Sequence, residues 1–184
     1  MFDSYIELID KDENYISSVQ RLASRYINED PTSKNNLALK RSLLKKSISN
    51  PKDVWNEFLS WLFTKQKEYG KALIQEKALF KRNPDYIDNI FRLGRIAFED
   101  NNFDNSQKCF DFLLENTNFI DGKLSAELYL LKIAVKKSDE NSDLYFQKVL
   151  KEYGFNKNTI DIQTVYADFL TFQKNDPEKA KEIS

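Results

Sequence analysis

Few residues of this chain are equipped for chemistry, and their spacing does not combine them. The 184 residues include no histidine, which removes Ser–His and Cys–His nucleophilic pairs and every metal site built on imidazole. A single cysteine, Cys109, forms no intramolecular disulfide and no thiolate zinc site. It falls among aromatics and reads as a small buried residue. Asp10-Lys11-Asp12-Glu13-Asn14 starts like a calcium loop. Tyr15 then stands where the sharp turn requires Gly, and Arg21 where a bidentate Glu is required. The segment reads as a polar turn into a helix. Neither GxGxxG nor GxxxxGK[ST] occurs. The carboxylate pairs Asp85 with Asp88 and Glu99 with Asp100 carry no mark of a general acid and base held at separated pKa values. The expectation is therefore no enzyme, no metal and no cofactor.

Composition says what kind of scaffold holds these residues. Apolar residues make up 41% and charged residues 31%, as in a globular chain. Four Gly and four Pro are too few for the many tight turns of an all-β fold and point to long helices. Lys and Arg total 28 against 29 Asp and Glu, without the basic excess of a nucleic-acid binder. Lys40, Arg41, Lys45 and Lys46 read as a solvated helix face. No stretch approaches the roughly 18–20 apolar residues of a membrane span, and Asp3, Glu7 and Asp10 do not suit a signal peptide. The segment is expected to be soluble, without membrane insertion and without nucleic acid as a partner.

Self-similarity at a fixed period gives the architecture. Leu59 pairs with Leu93, Ser60 with Gly94, Phe63 with Ala97, Tyr69 with Phe103, Ala72 with Ser106 and Phe80 with Leu114, all 34 residues apart. Ala38 lies a further 34 residues before Ala72. Two crossing helices need a small residue at their closest approach. Gly94 facing Ser106, and Ser60 facing Ala72, supply it, while Tyr69 and Phe103 cover the turns. Gly154 reads as a helix C-cap, and Asp176-Pro177 as an N-cap followed by Pro at the first helical position.

The period and these residue types resemble the tetratricopeptide-repeat (TPR) family. The resemblance implies an all-α, right-handed α-α superhelix, a TPR-like solenoid of about four to five antiparallel helix pairs. Residues 51–84 and 85–118 are TPR-like, the second matching best. Residues 13–50 and 119–156 are degenerate pairs, with helices expected over 13–28, 37–48, 124–136 and 144–153. Residues 1–12 and 157–184 look like a cut upstream helix and a cut last pair ending at Ser184. The chain is accordingly expected to be a piece of a longer repeat protein, similar to the middle of long bacterial TPR proteins. Some of these carry an export signal, so cytoplasm and periplasm both stay open. Exposed apolar ends would favour an end-to-end homodimer.

In this architecture the first helix of each pair lines a concave face that takes a protein or peptide. The pattern sends Asp88, Phe91, Arg95, Phe98 and Glu99 there from one helix, spaced three to four apart, opposite the core stripe of Ile87, Ile90, Leu93 and Ala97. The preceding unit contributes Trp61 and Lys65, with Glu57 and Thr64. Aromatic and Arg side chains are the commonest anchors of binding energy. The same aromatics would serve equally as packing. The resemblance lacks the Lys and Asn cluster that clamps a peptide carboxylate, since Arg95 and Lys65 alone do not make it. Two function classes follow, a ligand-binding scaffold and a structural spacer. A helical enzyme or regulatory domain is the remote reading.

Overall fold

The computed structural model describes residues 1–183; the expected end of the last helix at Ser184 lies outside them. The described residues form α-helices and short 3-10 turns, with no strand among them. The helices are α1 (Phe2–Lys11), α2 (Ile16–Ala23), α3 (Lys34–Ser49), α4 (Asp53–Lys65), α5 (Tyr69–Arg82) and α6 (Ile87–Glu99). They continue with α7 (Phe103–Asn116), α8 (Ile120–Lys136), α9 (Ser142–Tyr153), α10 (Ile160–Phe172) and α11 (Pro177–Ile183). The chain divides into two compact units, Met1–Leu93 and Gly94–Ser184, the division falling inside α6.

The turn inside each pair repeats in backbone geometry. Among the described residues, Lys67, Asn101, Ser138 and Asn175 are the non-glycine residues with positive φ, between 52° and 58°. The first three close the same motif. The Lys67 amide donates to Thr64 O and the Glu68 amide to Phe63 O. Asn101 with Asn102, and Ser138 with Asp139, repeat these two bonds onto Phe98 and Ala97, and onto Val135 and Ala134. This is the left-handed cap that satisfies the last carbonyls of a helix. The separations are 34 from Lys67 to Asn101, and 37 for each of the next two steps. An L-residue in this region carries a strain of roughly 1–2 kcal/mol, part of which glycine gives back through its freer unfolded chain. Ser138, exposed and at the cap, is thus a site for improvement. Ser138→Gly should raise stability by about 0.5–1 kcal/mol in urea denaturation, whereas Ser138→Val should lower it.

In the first unit, Ile6 and Ile9 of α1 and Leu39 and Leu43 of α3 are buried. Val54, Trp55, Phe58 and Leu62 of α4 are buried as well, and the Trp55 indole donates to Asn50 O at 2.8 Å. Tyr69 is buried at the start of α5 as its turn position requires. Two expectations need correction here. The helix expected over 13–28 is a 3-10 turn, Glu13–Tyr15, followed by α2, which ends at Ala23. Ala38 is exposed and is not the small contact residue. Asn36 is fully buried instead, its amide donating to Asn28 O at 2.8 Å and Asp30 O at 2.6 Å. These bonds hold the long α2–α3 connection.

In the second unit, Ser106 Oγ donates to Gly94 O at 2.9 Å. That bond realises the small-residue contact read from the spacing. Cys109 is fully buried beside it. Leu124, Leu131, Phe146, Val149, Ile162 and Tyr166 belong to one apolar cluster over α8, α9 and α10. The repeat shows again in two aromatic stacks. Phe110 lies on Tyr129 and Phe146 on Tyr166, each with ring centroids 4.6 Å apart and nearly parallel planes. Gly154 caps α9 with φ +80°, and the Asp176 carboxylate accepts from the Lys179 amide at the start of α11.

Candidate functional site

Each first helix buries one stripe and offers another. In α6, Ile90, Leu93 and Ala97 are buried. Asp88, Arg95 and Glu99 are exposed, with Phe91 and Phe98 half-buried among them. On α4 of the first unit, Trp61 is half-buried with its ring edge-on to Phe58 at 5.3 Å, and Lys65 is exposed one turn further on. Leu59 and Ser60 of the same helix are buried, as are Ala72 on α5 and Ser106 on α7.

Around α4 and α5 lies a polar group that the motif reading missed. Glu76 is 7% exposed and takes a hydrogen bond from Ser60 Oγ. Burial pushes its pKa above the usual carboxylate value, and the Ser60 bond only partly offsets that. Next to it, the Tyr86 hydroxyl donates to Glu57 at 2.9 Å, and burial together with that carboxylate pushes the phenol up to about 12. A carboxyl group raised in the folded state favours the fold when protonated. Its stabilisation is complete below the unfolded pKa near 4.5 and declines as pH rises through the raised folded value. Glu76→Gln keeps an acceptor for Ser60 and removes the charge. The variant should therefore lose that pH dependence and be no less stable than the parent at pH 8, as read from urea midpoints across pH.

The second unit contains the rest of the α6 stripe. Arg95 reaches Glu99 at 3.8 Å, a solvent-screened pair of small energetic weight. Phe98 packs edge-on to Tyr129 at 5.5 Å and against Phe103 at 5.6 Å. It therefore holds the pair together as well as facing outward. Two polar groups brace this unit. Tyr145 donates to Glu127, whose pKa burial raises. Tyr166 donates to Asp143 at 2.7 Å with Lys179 at 3.2 Å; burial pushes Asp143 up and these donors more than reverse it.

In the second unit, a cleft of about 160 Å³ lies between α8 and α10. Leu124, Leu128 and Ile162 form its apolar lining, with Asp121, Ser125 and Asp161 as polar neighbours. The motif reading did not find this cleft, although the signal was present. Ser125 and Leu128 stand 37 residues after Asp88 and Phe91, the step at which the caps Asn101 and Ser138 repeat.

Among the described residues no group of three His, Cys, Asp or Glu side chains could hold a metal ion. Likewise no described helix is long and apolar enough to cross a membrane. Comparison with protein-family models, with curated proteins and with solved structures finds no match to this chain.

Proposed function

We propose that this chain is a TPR-like protein-interaction module whose first helices present a binding face to a protein or peptide segment. The carrying observation is the repeated hairpin, with its cap recurring at Lys67, Asn101 and Ser138. A repeat of this kind orders successive first helices alike, and a right-handed α-α superhelix is the arrangement we infer. Half-buried aromatics beside exposed charges, Trp61 with Lys65 and Phe91 with Asp88 and Arg95, are the chemistry of interface anchors and their rim.

A spacer role within a larger protein is the second reading, favoured by Phe98, whose ring is engaged by Phe103 and Tyr129. The two readings separate on the exposed charges. A triple Lys65→Ala, Asp88→Ala, Arg95→Ala variant should keep its melting temperature and lose, by tenfold or more, a partner that the parent retains from host extract. A spacer would retain the same proteins with or without these side chains.

A further inference from the structure

The cleft between α8 and α10 carries a definite chemistry. We infer that it receives a peptide segment in which a bulky apolar side chain is flanked by Lys or Arg. This inference rests on the proposed binding face and names the partner chemistry of one part of it. A space of about 160 Å³ matches the cavity of about 150 Å³ that holds a benzene-sized group. Leu124 and Ile162 are 7% and 1% exposed and Leu128 is half-buried, so the apolar lining is the edge of the core.

Charge at the cleft has one sign. Asp121 and Asp161 both line it, and no basic side chain does. Neither carboxylate is in an ion pair, although Lys and Asp or Glu pair freely elsewhere in this unit, as at Lys137–Asp104 and Lys179–Asp143. Each lies in the first turn of its helix, where the helix dipole favours a negative charge. Exposed apolar side chains occur near the same two helix starts in sequence. Phe119 is 80% exposed and Ile120 55%, and Phe155 is 59% and Ile160 55% exposed. An apolar-lined cleft beside two uncompensated carboxylates complements a basic-apolar segment and repels an acidic one.

The test uses the full chain and two fluorescein-labelled peptides, Ser-Gly-Lys-Phe-Arg-Gly-Ser and Ser-Gly-Glu-Phe-Glu-Gly-Ser. Fluorescence anisotropy should show the basic peptide bound at least tenfold more tightly than the acidic one, with the difference shrinking in high salt. In amide NMR spectra the basic peptide should shift residues 121–128 and 158–162. Asp121→Asn combined with Asp161→Asn should weaken binding tenfold or more with helicity unchanged. Ser125→Arg, which places a cation in the cleft, should do the same and guards against a folding defect in the double variant. Equal binding of both peptides, binding of neither, or unchanged affinity in these variants would overturn the inference. Shifts confined to Trp61, Lys65 and Phe91 would also overturn it, while supporting the broader binding face.

Discussion

Gly94→Leu should lower the unfolding free energy by about 1–3 kcal/mol or more, because no side chain fits where Gly94 sits. A Cβ built there would lie 2.9 Å from Cys109 Cβ and 2.9 Å from the Phe110 ring. Cys109 is held by its own helix, and Phe110 is fully buried against Tyr129, so neither withdraws cheaply. Leucine would also gain roughly 0.5–1 kcal/mol over glycine in helix propensity, which the overpacking exceeds. The carbonyl of Gly94 additionally accepts from Ser106, and moving α6 off α7 would break that buried bond. Thermal and urea denaturation check the result together. A variant as stable as the parent would sink the assignment of Gly94 and Ser106 as the closest approach of the pair.

Phe146→Ala should be costlier still, at about 3–5 kcal/mol. The ring is fully buried, stacked on Tyr166 at 4.6 Å and tilted against Phe169 at 5.6 Å. Truncation leaves a cavity at the meeting of α9 and α10, where apolar neighbours converge and collapse is limited. Tyr166→Phe is the control. It keeps the stack and removes only the hydroxyl bond to Asp143, a loss of about 1.5–3 kcal/mol for a bond to a charged group. A double-mutant cycle between Phe146→Ala and Tyr166→Ala should return a coupling of about 0.5–1.5 kcal/mol. A loss below 1 kcal/mol for Phe146→Ala would contradict the packing of its ring as core between α9 and α10.

The parts of the fold legible from sequence are those that depend on rare residue types. A glycine within a helix, a Pro after Asp176 and small residues 34 apart each have one economical explanation. The resulting elements stand in the structure at α4 to α7, at Gly154 and at α11. What could not be read depends on polar side chains used as core. Asn36 is buried through bonds to backbone carbonyls of the preceding loop, which no hydrophobic pattern reveals. Glu76 and Glu127 look like surface positions until their burial is seen. Further on, the period lengthens to 37, so a fixed step of 34 misses Ser125 and Leu128. For the binding face, the residues expected on α4 and α6 are exposed or half-buried. Whether an aromatic such as Phe98 also packs was decided by Tyr129, on a helix the repeat pattern did not align.

The central claim is that the first helices present the binding face. Site-specific photo-crosslinking in the native host tests it most directly. A benzophenone amino acid placed at Lys65, Asp88 or Arg95 should trap the same discrete partner. Placed at Ile74 on α5 or Leu144 on α9, both 64% exposed on second helices, it should trap none. Equal trapping from both sets, or none from the first-helix positions while the second helices cross-link, would contradict the account.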